Sequence, residues 1–330
     1  MPNDNNGVLR IAPGSGAAPE GHGERAGDLQ RLVDLDLPCP VTVALSVQKV
    51  HEIAKGLRFN AAGVISEFEP ATLLSVQASS GQRTCGGPKE FHDVGMNAAT
   101  HNVMTAAIGK DRADRRWLDF IQRFATDVAC LDAESFEDIT DPATALALYE
   151  HEAGEPFPDD PAVQLSRVVS SMATAWDGVT ARLLRHAQGA PLDAGLALLV
   201  IDHRWSLSTG PVLKGRVRLY DPVTGQQSIN GTLRVTDRDE TREELLDDAF
   251  AKAHPDRYDQ ITALLDTGRA GFREDRTYDL VMTDGELLVL DARPAAGSAR
   301  VALNNVITLV EAGVITREDA LLRVAPTALA

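Results

Sequence analysis

The stretch Tyr278-Asp279-Leu280-Val281-Met282-Thr283-Asp284-Gly285-Glu286-Leu287-Leu288-Val289-Leu290-Asp291-Ala292-Arg293 reads as a β-hairpin. Two strand-forming runs, Tyr278–Met282 and Glu286–Leu290, flank Thr283-Asp284-Gly285, and an Asp-Gly pair between such runs is strong chemistry for a tight reversal. Asp279 lies on the first strand, Asp291 ends the second, and Arg293 follows just beyond. Carboxylates on paired strands can face one side and hold a divalent ion through hard oxygens; Mg²⁺ with phosphate oxygens in its shell suits them. A neighbouring arginine can then grip phosphate with its planar fork. A surface hairpin whose acids only keep it soluble carries the same letters, so the pattern alone leaves both readings open.

Working outward, Ala194–Ile201, Val212–Tyr220 and Ser228–Val235 read as strands, with Asp221–Gln226 as a turn. Thr241–Ala253 and Tyr258–Leu265 read as helices, and the charge run Asp237–Asp248 reads as a solvated helix start favoured by the helix dipole. A helical hairpin follows from Ser298 to Val324, its second helix capped by Thr316 with Asp319 three residues on. Upstream, Arg112–Gly189 is helical: Trp117, Phe120, Ile121, Phe124 and Val128 recur at i, i+3, i+4 spacing, as do Leu165, Val168, Val169, Met172 and Trp176. Before it, Gly27–Leu37 and Ser46–Lys55 read as helices and Val41–Leu45 and Thr72–Val76 as strands, while Ala78–Lys89 reads as a loop. Met1–Glu24 reads as a flexible arm with one edge strand at Val8–Ile11. The pattern predicts a mixed α/β fold with α+β character.

Composition narrows the function classes. The 330 residues carry 32 Lys and Arg against 48 Asp and Glu, a formal charge of −16. That balance argues against wrapping nucleic acid or adsorbing to anionic membrane, both of which need a basic footprint. No run of about 18 apolar residues is present to span a bilayer. The opening MPNDNNG lacks the basic and apolar regions of a signal peptide, and Cys39, Cys85 and Cys130 form no CxxC pair, so a cytoplasmic protein with reduced thiols is expected. SSGQRTCGG around Arg83 matches no P-loop, and neither HExxH nor GxSxG occurs.

Several segments in colinear order resemble the N-terminal nucleotide-binding domain of the pyruvate phosphate dikinase and phosphoenolpyruvate synthase family. They are LDLPCP (Leu35–Pro40), DVGMN (Asp93–Asn97), FIQRFATDV (Phe120–Val128), FPDDPAVQL (Phe157–Leu165), AWDG at Trp176, DPVTGQ, PDRYDQI (Pro255–Ile261) and LDAR (Leu290–Arg293). LVEAGVITREDALLRVAP (Leu309–Pro326) is the most specific, and the likeness runs from about Val8 to Pro326. The resemblance implies an ATP-grasp-like fold in which two lobes clasp ATP: an N-terminal lobe with its arm at 1–110, a helical subdomain at 111–190 and a C-terminal lobe at 191–330.

It also implies ATP and Mg²⁺ as cofactors and a phosphoryl transfer whose acceptor is a small molecule or a histidine supplied in trans by a phosphohistidine-domain protein. The family's Thr-Ser-His phosphocarrier motif and barrel have no counterpart in this sequence. Site residues carry over unevenly. Arg25 stands where the glycine-rich motif ends in lysine, and of two loop arginines only Arg83 remains, Gln77 replacing the other. Asp279 stands on the acidic metal strand, Asp291 replaces a glutamine, Arg293 is kept, and Tyr220 occupies the place of a phosphate-binding arginine. Ile201 and His203 fall where the base would be bordered. Metal ligands are therefore expected at Asp279 and Asp291, and transition-state cations at Arg293 and Arg83. The lost cations equally fit a degenerate pseudoenzyme that serves as a nucleotide sensor or protein-interaction module.

Overall fold

The structure, a computed structural model, describes residues 7–323 apart from 86, 188, 192, 222, 225–226, 238–239, 284 and 296–298. The first residues of the expected arm, Asp284 of the hairpin tip, Pro222, Gly225 and Gln226 of the upstream turn, and residues 324–326 of the last matched segment lie outside the described residues. The chain forms two units: one comprises the segment ending at Ile11 with Ser15–Gly27 and Val41–Thr209, the other Ala12–Gly14, Asp28–Pro40 and the chain from Gly210 onward. No helix among the described residues is long and apolar enough to cross a membrane.

The first unit contains β1 (Val8–Arg10), the start of α1 (Pro19–Asp34), β2 (Thr42–Leu45), α2 (Val47–Ala54), α3 (Ala61–Ile65), β3 (Leu74–Ser80) and β4 (Phe91–Val94). Six helices follow, α4 (Ala98–Ile108), α5 (Lys110–Arg123), α6 (Glu134–Glu137), α7 (Pro142–Ala153), α8 (Pro161–Asp177) and α9 (Val179–Ala187), and then β5 (Leu196–Asp202). The strands pair antiparallel in the order β1-β2-β5-β3-β4. Every residue of β5 is buried, as its unbroken apolar run demands of a strand covered on both faces. Leu196, Leu198 and Val200 enter the core formed with α2 and α8, so Ala197, Leu199 and Ile201 alternate to the opposite face.

Local chemistry starts the helices of that core. Ser46 caps α2 by accepting from Lys49 N at 3.2 Å, while Asp160 accepts from Ala162 N at 2.8 Å ahead of Pro161 in α8. The helices after β4 are joined to the sheet by an aromatic cluster: Phe91 of β4 meets Phe120 at 5.9 Å and Phe124 at 6.5 Å, and Phe157 stands 5.0 Å from both Phe124 and Tyr149. The helices between 111 and 190 thus share one core with the first sheet. The polar stretch read as a loop from Ala78 also changes: β3 continues to Ser80, because Ala78, Ser79 and Ser80 pair with Leu198, Ala197 and Leu196. Sheet pairing overrides their weak strand propensity.

The second unit contains β6 (Val212–Tyr220), β7 (Gln227–Asp237), β8 (Glu240–Leu245), α10 (Asp248–Ala253), α11 (Pro255–Phe272), β9 (Arg276–Met282), β10 (Leu287–Pro294), α12 (Ala299–Glu311) and α13 (Arg317–Arg323). Its strands pair antiparallel in the order β10-β9-β6-β7-β8. The expected helix at Thr241 is instead an edge strand. Thr241, Arg242, Glu243 and Glu244 pair with Thr236, Val235, Arg234 and Leu233, and Arg234 meets Glu243 at 3.6 Å. The helix begins only after Asp247, which accepts from Ala249 N and Phe250 N. In α13 the expected cap is present in both directions, with Asp319 N donating to Thr316 Oγ1 at 3.1 Å and Thr316 N to Asp319 Oδ2 at 3.2 Å.

One close approach in the first unit depends on glycine. Within α1 the backbone kinks at Gly23 (φ 80°), where a Cβ would stand 2.1 Å from the Ser79 carbonyl oxygen. Ser79 Oγ donates to His22 O at 2.7 Å and accepts from Ala26 N at 3.1 Å, filling the backbone gap that the kink opens. Gly23→Ala is therefore expected to destabilise the protein by about 2 kcal/mol or more, through left-handed strain plus a backbone clash. Gly21→Ala, with nothing within 4 Å of its Cβ, should leave the urea midpoint nearly unchanged in the same measurement.

Candidate functional site

The sheet of the second unit has two unlike faces. Leu213, Val217, Tyr278, Leu280 and Ala292 are buried, and α11 lies against them so closely that a Cβ on Gly268 would stand 2.2 Å from Tyr278 Oη. The alternate positions carry charge. Arg216 pairs with Asp279 across β6 and β9, and Asp279 pairs with Asp291 across β9 and β10, so the three occupy one row. Arg218, Thr277 and Arg293 form the next row. Period-two alternation also places Lys214 on this face.

A bulge creates the pairing of the two acids. Val289 pairs with Leu280 and Asp291 with Asp279, so Leu290 is an extra residue in β10. In a regular strand Val289 and Asp291 would share a face; the bulge lets Val289 face the apolar side and Asp291 the polar side. Val289 N donates to Pro38 O at 2.7 Å, so a motif quoted for its resemblance, LDLPCP, supplies the carbonyl that satisfies the bulged strand.

The row is held by ion pairs. Arg216 Nε contacts Asp279 Oδ1 at 3.0 Å, Arg293 Nη2 bonds Asp279 Oδ2, and Arg293 Nε lies 3.3 Å from Asp291 Oδ2. Arg218 Nη2 donates to Asn230 Oδ1 at 3.3 Å, with its guanidinium 5.9 Å from the Tyr220 ring. Tyr220, standing where the resemblance expects an arginine, bonds Thr277 Oγ1 at 3.0 Å through its hydroxyl. The cation lost at Tyr220 is matched by Arg218, two residues earlier on the same face. Sequence reasoning missed Lys214, Arg216 and Arg218, although K-x-R-x-R inside a strand puts every basic residue on one side. With Arg293 they leave the face positive around its two acids, a setting for an anion that brings its own cation.

Asp279 and Asp291 offer two hard-oxygen ligands. Among the described residues no group of three His, Cys, Asp or Glu side chains could hold a metal. Two carboxylates alone would leave most of a divalent ion's shell to water or to a ligand.

The remaining expected residues belong to the first unit. Arg25 follows the Gly23 kink and reaches Glu90 Oε1 at 3.5 Å, while Arg83 begins a short turn after β3 and donates its backbone N–H to Glu24 Oε2 at 2.9 Å. Both therefore stand where the α1 kink meets the end of β3. Ile201, 4% exposed, shares the sheet face opposite the α2–α8 core with its partner Ser75 and with Gln77 and Ser79. Gln77 donates to Ser75 Oγ at 3.1 Å, and its buried Oε1 has no hydrogen-bond partner among the described residues. This buried polar stripe was also missed; its signal was S-x-Q-x-S at strand period.

No family model matches this chain. A pyruvate, phosphate dikinase from Rhizobium meliloti (strain 1021) is 23% identical over 380 residues, covering 96% of this chain and 42% of its own length. One from Clostridium symbiosum is 27% identical over 180 residues and 52% of this chain, and a chloroplastic one from Zea mays is 24% identical over 190 residues and 54%. The chain is a divergent homologue of the pyruvate, phosphate dikinases. It spans under half the length of the Rhizobium relative and about a fifth of the other two.

His203 of the dikinase-like chain sits in a cluster that the sequence did not reveal. Its ring stacks on His92 at 4.9 Å, packs edge-on to Trp205 at 4.7 Å, and places Nδ1 3.5 Å from Asp93 Oδ1. Asp93 adopts a left-handed conformation (φ 64°) at an irregularity in β4, which aspartate tolerates better than most residues. Arg116 Nε donates to Asp93 Oδ2 at 3.1 Å, Nη2 bonds Asp93 Oδ1, and Nη2 also reaches Ser206 Oγ at 3.0 Å. Burial alone would raise the Asp93 pKa, but the adjacent His203 ring and the charge and hydrogen bonds of Arg116 outweigh it and hold the group at about 2.

A carboxyl held below its unfolded value of 3.8 stabilises the fold above that value, and the gain is lost as pH falls through about 2. Stability to urea should therefore decline between those two values. Asp93→Asn should lower stability at neutral pH by about 2 kcal/mol and flatten the acid limb, with pH-dependent circular dichroism as the check.

Proposed function

We propose that this chain binds MgATP and moves the terminal phosphoryl group to a small molecule or to a histidine supplied in trans by a phosphohistidine-domain protein. The observation that carries the reading is the cross-strand pair Asp279–Asp291 set among Arg216, Arg218 and Arg293 on the polar face of the second sheet. Phosphoryl transfer asks little covalent chemistry of a protein; it asks for positioning and for charge placed around the transferred group. Asp279 and Asp291 would hold Mg²⁺, which when bound would neutralise charge on the phosphates. Arg293 and Arg216 would turn from the aspartates to phosphate oxygens. That exchange keeps each guanidinium paired with an anion in both states. Arg25 and Arg83 are proposed as further phosphate-contacting cations, and Ile201 and His203 as neighbours of the base. On this reading the chain follows an ATP-grasp-like plan and works in the cytoplasm.

One observation favours the second reading, a nucleotide sensor without turnover: both oxygens of Asp279 are already engaged by arginines. Melting curves and turnover assays separate the two. Saturation at a hundred times the dissociation constant stabilises a protein by about 2.7 kcal/mol, so MgATP should raise the melting temperature by several degrees. Asp291→Ala and Arg293→Ala should each remove that shift together with phosphoryl transfer. A shift in the wild type without transfer to any added acceptor would select the sensor. No shift at millimolar MgATP would overturn both readings.

A further inference from the structure

A cleft of about 860 Å³ opens in the first unit, lined by residues of α2, α8 and α9 and by the chain entering β5. Its size lies within the range of small-molecule sites. Leu196 lines it, on the α2–α8 side of β5, whereas Ile201 alternates to the other face, so the cleft is distinct from the surface assigned to the base.

The cleft contains a buried cation that forms no ion pair among the described residues. Arg185 is 6% exposed, and its guanidinium lies 3.6 Å over the Trp176 ring. The indole is itself fixed, Trp176 Nε1 donating to Ala194 O at 3.0 Å. Arg185 Nη1 donates to Trp176 O at 2.8 Å, but buried Nε has no hydrogen-bond partner among the described residues, and no carboxylate there forms an ion pair with the group. Burial, and then the neighbouring charge of Arg182, lower its pKa from the usual arginine value.

The nearby acids supply only part of the missing charge. The field of Asp177 favours the charged form of Arg185, but that carboxylate is shared with Arg182 at 3.5 Å and His51 at 3.4 Å, and Glu20 and Asp193 are exposed. The carbonyl at the end of α8 and that helix's dipole offset only part of the cost of burying a full positive charge. A buried monocation with no ion-pair partner among the described residues suits one monoanion, and a guanidinium's planar fork matches a carboxylate. A dianionic phosphate would leave a buried charge unbalanced. Val50, Ala173 and Leu196 line the cleft and belong to the same buried cluster as the indole, giving it an apolar part among polar lining residues such as Ser46 and Gln48.

We infer that this cleft binds a small organic carboxylate, its anionic group on Arg185 and its apolar body against Trp176, Val50 and Ala173.

The test is titration of the full chain with benzoate, followed by calorimetry and tryptophan fluorescence, with inorganic phosphate as the comparison. Benzoate should bind saturably and perturb the emission. Arg185→Lys keeps the charge but loses the fork, and should weaken binding by about tenfold or more. Ala54→Trp, which narrows the cleft without touching the arginine, should weaken it similarly and keeps the idea testable if the Arg185 variant misfolds. Arg293→Ala, on the other sheet, should leave benzoate affinity unchanged. The assignment is overturned if millimolar benzoate does not bind, if Ala54→Trp binds it as well as wild type, if Arg293→Ala abolishes binding, or if phosphate binds more tightly than benzoate.

Discussion

The chemistry of the second sheet depends on one extra residue. Leu290 is accommodated as a bulge, and only because of it do Asp279 and Asp291 stand opposite each other on the polar face while Val289 stays with the core. A pleated strand alternates strictly, so a hydrophobic run leading into an acid on the polar face meets a parity problem. The bulge solves it locally, and beside it the Val289 N–H donates to the Pro38 carbonyl. Arg216 and Arg293 then fix the acids' orientation from either side. The site is thus built by register first and by charge second.

How far this was legible in the sequence follows from what each feature depends on. The hairpin, its turn and its two acids are local, and the letters around Asp284-Gly285 announced them. The bulge is not local: whether Leu290 is extra depends on the partner strand, and nothing within ELLVLDAR records it. Arg216 and Arg218 were legible in principle, since K-x-R-x-R in a strand is a one-sided pattern.

The misread helix at Thr241 has a different cause. A dense run of acidic and basic residues carries no hydrophobic period, and its strand state is set by pairing with β7. Asp93 was visible only as part of a matched motif. Its position between His203 and Arg116 requires a left-handed backbone and three distant segments brought together, none of which is written in neighbouring residues. Sequence periodicity reveals which face a residue takes; it does not reveal which charges meet on that face.

The edge strand β8 has a consequence for behaviour in crowded solution. An unpaired strand edge is a template for pairing with another chain, and a second copy docking there edge to edge would lay one charged strand along another. Glu243 and Glu244 lie in the middle of that edge, and the whole chain carries −16. Those glutamates are paired with Arg234 and Arg242, so the opposition to strand addition comes from the same excess of negative charge that a second copy brings. The chain's excess of negative charge therefore disfavours self-association, while positive charge is concentrated on one face of the same sheet.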